Sequence, residues 1–349
     1  MSSDTLMTDL TAAPTTDPSS IYRTRDELYA DDMLIAALQG VDFFTWLDAN
    51  PGSIDQIAAH FGFHSRPVDV MTTLFVARGL LERHESELRL TPQAREHLVR
   101  RSTWYLGPYF PKLSDRPIAQ DLLEVLRTGQ PANFASRKNE MDWHKAMETE
   151  GFAEEFTAAM DCRGRLLAQA LARGVDLGNC KRLLDIAGGS GIYACALAAR
   201  FPNLSAAVFE KPPVDRIAQR AIASRGFTER VGTVAGDMLK EPLPSGYDVH
   251  LLSNVLHDWD VPLVMQLLQA SALALAPGGT LIVHEAFLNA DKSGPLPIAG
   301  YSVLLMHVTQ GRCYSVREMA EWMQEAGFSA PTEVPSAVGR SALVARKRE

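Results

Sequence analysis

Two hydrophobic rhythms divide the chain. From Asp26 onward, apolar residues recur at helical spacing: "ELYADDMLIAALQGVDFFTWLDANP" reads as helix and stops near Asn50-Pro51-Gly52. "SIDQIAAHFGF" opens with Ser53 and Gln56, the spacing of a capping box, in which each side chain satisfies an orphan backbone N–H of the other residue. After a turn at Phe63-His64-Ser65 comes a longer helical pattern, "RPVDVMTTLFVARGLLER", then a short hairpin in "HESELRLT", then "PQAREHLV". Between Trp104 and Met160 the chain is helical and aromatic-rich, and Gly107-Pro108, Pro111, Pro117, Gly129 and Pro131 break it into short pieces.

From Lys181 strand and helix alternate. "RLLDIAG", "LSAAVFE", "ERVGTVAGD", "YDVHLLSNVL" and "TLIVHEAFL" read as strands, with helices in "GIYACALAARF", "DRIAQRAIASRG" and "PLVMQLLQASALAL". "SVREMAEWMQEAGF" adds a helix and "SALVARKR" a terminal strand. Such alternation predicts an α/β fold with a doubly wound, mostly parallel sheet. The expected layout is a disordered tail over 1–20, a mainly α module over 21–103, and a helical linker with the α/β domain over 104–349.

Helix, turn, helix and hairpin give the front module a winged-helix outline. A DNA-reading helix displays Arg, Lys, Asn and Gln on its outer face. Here the second helix carries Val70, Met71, Leu74, Phe75 and Val76 with few bases, so a packing or dimerisation role is expected instead. The net charge of −8 also argues against a surface built for nucleic-acid phosphates. Cys162, Cys180, Cys195 and Cys313 are scattered with no Cys-x-x-Cys pair, which argues against a disulfide framework or structural zinc and fits a reducing compartment. The first residues have no basic region and no apolar core, unlike a signal peptide, and no apolar run reaches the ~20 residues of a membrane helix. A cytoplasmic protein with no membrane partner is expected.

The chemistry concentrates at strand ends. "LLDIAGGSGIYACALA" places Asp185 before Gly188, Gly189 and Gly191 and then starts a helix. The glycines let the backbone approach a ligand, and the helix N-terminus offers N–H groups. Glu210 ends the next strand, on the order of 20 residues beyond the loop, where a carboxylate can accept both hydroxyls of a ribose. The glycine spacing is not that of a dinucleotide fold, and a carboxylate beside a pyrophosphate would repel it. Beside an ammonium or sulfonium Asp185 is favourable, so S-adenosylmethionine is the better ligand. Gly236-Asp237-Met238 closes the third strand, with Asp237 suited to an adenine amino group and Met238 to the ring face. "LLSNVLHDWD" then presents Ser253 and Asn254 and ends on His257-Asp258-Trp259-Asp260. A histidine titrates near neutral pH and suits a base at such a position.

"DIAGGSG", "VFEKPPV", "AGDM", "LSNVLHDWD" and "APGGTLIVHEAFL" together resemble the small-molecule O-methyltransferases of the hydroxyindole and caffeate type, in their bacterial natural-product branch. The likeness runs from about Asp31 to the end and implies a Rossmann-like class I methyltransferase domain behind a winged-helix dimerisation domain, hence a homodimer. It implies that His257 takes the proton from a hydroxyl of an aromatic small molecule and that Glu285 of "VHEAF" orients it. Gly188, Glu210, Asp237, Met238 and Asn254 would hold S-adenosylmethionine, with Trp143 and Met160 packing on it from the helical segment.

The chain departs from the family pattern in places. Ala187 stands where the loop usually has another glycine. Gly311-Arg312-Cys313 replaces the usual Gly-Arg-Glu, so a second carboxylate for the histidine is missing, and His307 stands where an apolar residue is common. Met306, His307 and Cys313 are therefore candidates for the substrate pocket, with no metal as the main expectation. Two alternatives remain: a C-methyltransferase acting on a 2-oxo acid through a metal on His257 and His307, which the resemblance implies for a minority of the family, and a regulator that keeps S-adenosylmethionine only as a structural ligand.

Overall fold

A computed structural model describes residues 10–110, 112–132 and 143–348, without the side chains of Trp143 and His144. The chain divides into two compact units. One comprises 1–19, 141–286 and 318–349; the other comprises 20–140 and 287–317. Residues 1–9 of the tail lie outside the described residues, and Leu10 is buried.

The first unit is built on a seven-stranded sheet of order β5-β4-β3-β6-β7-β9-β8. Its strands are β3 (Arg182–Ile186), β4 (Ser205–Glu210), β5 (Val231–Ala235), β6 (Val249–Ser253), β7 (Thr280–Glu285), β8 (Thr332–Pro335) and β9 (Ser341–Arg346). The first five are parallel, while β9 runs antiparallel to β7 and β8 antiparallel to β9. All six residues of β7 are buried, as are four of five in β3, because helices cover both faces of a parallel sheet. The order reverses at β3, which pairs with β4 on one side and β6 on the other. In doubly wound sheets the crevice at the carboxyl ends of two such strands is the ligand-binding place. The loops after β3 and β6 both open there. The long helix Glu150–Gly174 packs against the helices Ile192–Arg200 and Val214–Ser224, and Phe152 and Phe156 join Met147, Ala153, Val214 and Ile217 in one apolar cluster.

"YDVHLLSNVL" keeps its apolar run to Leu256, but the strand ends at Ser253, because Asn254 turns the chain with φ of +54° and a 3-10 turn covers Leu256–Asp258. Asp260 then caps the helix Val261–Ala274, accepting the Leu263 N–H at 3.2 Å, a contact worth about 1 kcal/mol.

In the second unit the capping box forms: Ser53 Oγ accepts from Gln56 N at 3.3 Å, and Gln56 Oε1 accepts from Ser53 N at 2.8 Å. The helix Ile54–Phe61 ends at Gly62, φ +66°, and Ser65–Ala77 follows. Strands β1 (Leu81–His84) and β2 (Glu87–Leu90) make the antiparallel hairpin. The single helix expected over Glu27–Pro51 is broken instead: a π turn at Ala36–Gly40 and Asp42, φ +53°, separate Ala30–Ile35 from Phe43–Ala49. The helix Leu296–Val308, distant in sequence, packs on Ser65–Ala77 within this unit.

Candidate active site

The glycine loop leaves β3 with Ala187 at φ +53°, Gly189 at +57° and Gly191 at +72°. Gly188 must be glycine for a different reason: a Cβ there would fall 2.4 Å from the Asp185 carboxyl carbon. Neither Asp185 oxygen has a close hydrogen-bond partner, and burial, opposed by the Ala194 backbone N–H and aided by the Glu210 charge, pushes this carboxyl up to about 7. A buried orphan carboxylate is expensive, and a cationic ligand at the loop relieves it. Glu210 is held in place: Gly189 N–H donates to Oε1 at 2.9 Å and Lys211 N–H to Oε2 at 3.2 Å. Burial outweighs these bonds and raises Glu210 to about 7 as well. Beyond β5, Gly236 N–H donates to the Glu210 carbonyl at 3.0 Å, and Asp237 Oδ1 accepts from Leu239 N at 3.0 Å while Oδ2 pairs with Lys240 at 3.0 Å. Met238 follows in the same turn, half-buried. Asp185, Gly188, Gly189, Gly191, Glu210 and Gly236-Asp237-Met238 thus lie on the loops that close β3, β4 and β5, three adjacent strands.

At the end of β6, Asn254 Nδ2 donates to the Tyr193 hydroxyl and to Ser253 Oγ, each at 3.1 Å, while its own Oδ1 is buried without a partner. Tyr193 sits in the first turn of the helix after the glycine loop, so this bond ties the two loops together. His257 follows on the 3-10 turn, 4% exposed. Its Nδ1 lies 2.5 Å from Glu285 Oε2 at the end of β7, and its Nε2 lies 3.6 Å from Asp258 Oδ1. Burial depresses the imidazole pKa, but the Glu285 and Asp258 carboxylates outweigh it and the net shift is upward. Glu285 itself goes the other way: burial disfavours its charge, and His257 and two backbone N–H groups hold it ionised below the usual carboxylate range. Asp258 is raised to about 6 by burial against the attraction of His257.

Sequence reasoning missed Tyr193 and His284. His284, beside Glu285 on β7, bonds Ser253 Oγ through Nδ1 at 2.9 Å and meets the Tyr193 ring edge-on at 5.7 Å. Burial depresses it to about 3, so it stays neutral. The signal available for both was position: Tyr193 is the second residue of the helix behind the glycine loop, and His284 alternates with Glu285 across one strand.

Of the remaining sequence candidates, Met160 is half-buried on Glu150–Gly174, and the side chain of Trp143 lies outside the described residues. Met306, His307 and Cys313 belong to the other unit. Met306 and Cys313 are fully buried there, and Cys313 N–H donates to Ser302 Oγ at 3.1 Å.

Comparison with known proteins decides the class. The O-methyltransferase domain family matches residues 120–329. A 3-hydroxy-5-methyl-1-naphthoate 3-O-methyltransferase of Streptomyces sahachiroi is 34% identical over 86% of this chain and 87% of its own. This chain belongs to the O-methyltransferase family. The tetracenomycin 8-O-methyltransferase of Streptomyces glaucescens is 30% identical to it, over 89% and 91% of the two chains. Among solved structures, an O-methyltransferase family 2 protein from Planctomyces limnophilus, in complex with apigenin, superposes with a TM-score of 0.86 at 30% identity, covering 97% of this chain and 98% of that one. The protein is an S-adenosylmethionine-dependent O-methyltransferase. The metal-assisted C-methylation alternative is set aside, because the naphthoate and tetracenomycin relatives favour O-transfer. Among the described residues no group of three or more His, Cys, Asp or Glu side chains is arranged to hold a metal ion. Nor is any described helix of this methyltransferase long and apolar enough to cross a membrane.

Proposed function

We propose that this enzyme methylates a hydroxyl of an aromatic natural product, with His257 as the general base and Glu285 as its positioning partner. The observation that carries the reading is the His257 Nδ1 to Glu285 Oε2 contact of 2.5 Å. An ionised Glu285 accepts Nδ1–H, which puts the basic lone pair on Nε2. As Nε2 takes the acceptor's proton, the imidazolium gains Asp258 at 3.6 Å as a second carboxylate. S-adenosylmethionine, when bound, supplies a methyl group made electrophilic by its sulfonium. Asp185 and the glycine loop would hold its cationic end, Glu210 its ribose, and Asp237 and Met238 its adenine, with Ser253, Asn254, Trp143 and Met160 completing the surround. The orphaned oxygens of Asp185 and the anchored carboxylate of Glu210 fit that ligand. The natural-product relatives named above support an aromatic acceptor.

The front module serves as a dimerisation domain in this reading, and the enzyme works as a homodimer without nucleic-acid partners. Ile21 and Leu28 of that module, and Trp104, Leu106 and Tyr109 just after it in the chain, are exposed apolar residues that a second copy would cover. All four cysteines are free, which fits the cytoplasm.

The test is incubation of the purified enzyme with S-adenosylmethionine and a panel of phenols and naphthols, with mass spectrometry of the products and sedimentation equilibrium of the same sample. Methyl ethers and a dimer are expected. Bound S-adenosylmethionine with no methyl ether across the panel would overturn the catalytic reading in favour of a regulator.

A further inference from the structure

Asp161 stands near the middle of the helix Glu150–Gly174, in the unit that also carries the glycine loop. Aspartate is a weak helix former at an interior position, and its side chain here is only 13% exposed. A carboxylate so placed needs partners. It finds them on two other elements. Ser190 Oγ, in the glycine loop, donates to Asp161 Oδ1 at 2.5 Å. Arg225 Nη2 donates to the same oxygen, and Arg225 Nη1 donates to the Ser190 carbonyl oxygen at 3.0 Å. Arg225 closes the helix Val214–Ser224, and its side chain is 15% exposed. The three residues form a closed cycle: Ser190 hydroxyl to Asp161, Asp161 to Arg225, and Arg225 back to the Ser190 carbonyl. Arg165, one helical turn beyond Asp161, is exposed and reaches Oδ2 only at 3.7 Å.

The cycle grips Ser190 by side chain and backbone, in the middle of the loop. On one side of it, Gly189 N–H donates to Glu210 Oε1 at 2.9 Å; on the other, Gly191 N–H turns back to the Gly188 carbonyl at 2.9 Å. Gly189 and Gly191 both have positive φ, and glycines leave a chain many other conformations. The Glu210 bond ties the loop to β4, while the Asp161 and Arg225 bonds tie it to two helices.

We propose that Asp161 and Arg225 are positioning residues for S-adenosylmethionine, acting through Ser190 to hold the glycine loop in its cofactor-binding shape. Their effect is preorganisation: a loop fixed beforehand loses little freedom when the ligand binds. Both hydrogen bonds to Asp161 are charge-assisted, the stronger class. Because Oδ1 is shared and the cycle is closed, removing one member loosens the others, and the three act as a unit. The inference rests on the reading that the glycine loop and Glu210 hold the cofactor.

The experiment is calorimetric titration of the full-length enzyme with S-adenosylmethionine, without an acceptor, alongside thermal unfolding of the ligand-free protein. Ser190→Ala and Asp161→Ala should each weaken binding about tenfold. The double variant should also lose only about tenfold, rather than the roughly hundredfold of two independent losses. Arg225→Lys keeps the charge and should lose less affinity than Arg225→Met. Ser190→Ala removes a single hydroxyl, and Asp161→Asn takes the place of Asp161→Ala in the cycle if that variant does not fold. A packing role alone would lower the thermal midpoint and leave affinity in place. Unchanged affinity in folded Ser190→Ala, or losses that multiply in the double variant, would therefore overturn the proposal. Glu210→Ala separates the two readings. If it fails to weaken binding, the cofactor-site reading falls and the proposal with it. If it weakens binding while Ser190→Ala does not, the proposal alone falls.

Discussion

Glu285 holds His257 through one carboxylate oxygen and the backbone that carries His257 through the other. Oε2 lies 2.5 Å from Nδ1, while Oε1 accepts the N–H groups of Val255 at 2.8 Å and Leu256 at 2.9 Å. Ring and turn are thus fixed by the same charged group, and a charge-assisted bond of this kind is about twice as strong as a neutral one. Asn254, whose left-handed backbone ends β6, makes the two N–H groups available on one side.

If Nε2 of His257 is the proton acceptor, His257→Ala should lower kcat by about 100-fold to 10,000-fold, the usual contribution of a general base. Binding of S-adenosylmethionine, measured by calorimetry, should be nearly unchanged, because the candidate cofactor residues lie at the ends of β3, β4, β5 and β6 and in the helical segment and do not include His257. Retained turnover in the folded variant rules His257 out as the base.

Glu285→Gln removes the charge while keeping the shape. Val255 and Leu256 would still donate to its carbonyl oxygen, which turns its NH₂ toward Nδ1 and forces the proton onto Nε2, the wrong tautomer for a base. A kcat loss comparable to that of His257→Ala is expected, with Km nearly unchanged. The sign of the residual pH profile follows from the upward shift of His257. In the native enzyme the base is neutral, and active, above a pKa that lies above 6.5, so the acidic limb falls on that side. Without the Glu285 charge, burial dominates and the limb should move to lower pH. A limb that stays in place would show that Glu285 does not set the base's pKa.

Much of this site was legible in the sequence because its residues sit at strand ends, where an apolar run stops on a polar residue. Glu210 and Glu285 obey that rule, and Asp185 stands one residue before the end of β3. The contacts that lock the site were not legible, because they join residues far apart in sequence: Asn254 to Tyr193, and His284 to Ser253. The break after Ser253 was hidden as well, since Val255 and Leu256 continue the apolar pattern, and a left-handed Asn254 leaves no trace in hydrophobicity. In the front unit, helical periodicity passes through Gly40 and Asp42 without showing that the backbone turns there. The helix Leu296–Val308 could not be assigned to that unit from its pattern, because being apolar on every side it gives no direction.

If Asp185 and Glu210 hold the cofactor, its binding should depend on pH. Asp185 and Glu210 have pKa values of about 7 in the ligand-free fold, against ordinary values of 3.8 and 4.5. Between those limits the folded chain holds protons that the unfolded chain has lost. Their contribution to stability is therefore full below the unfolded pKa and is lost as pH rises toward about 7. A cationic ligand beside Asp185 favours the ionised form, so binding should release protons. Calorimetry at about pH 6.5 in buffers of different ionisation enthalpy should show proton release to buffer, and affinity should rise with pH toward neutrality. Proton uptake, or none, would mean that S-adenosylmethionine does not meet these carboxyls ionised. Glu210→Ala should weaken binding by about 10-fold to 100-fold, the value of a charged hydrogen bond to a ribose.

Ala187 offers a test of the loop that leaves the chemistry untouched. At φ +53° its Cβ crowds the backbone, a strain of roughly 1–2 kcal/mol for a residue other than glycine. Ala187→Gly removes that strain, while glycine's greater freedom in the unfolded chain takes back about 0.5–1 kcal/mol. The net expectation is a stabilisation between zero and about 1.5 kcal/mol, read as a small rise in the denaturant midpoint at constant slope. The same variant should keep the Gly189 N–H on Glu210, and hence cofactor affinity, within about twofold. A drop in midpoint would show that the Ala187 methyl group makes packing contacts worth more than the strain it carries, and that the loop is built around alanine rather than merely tolerating it.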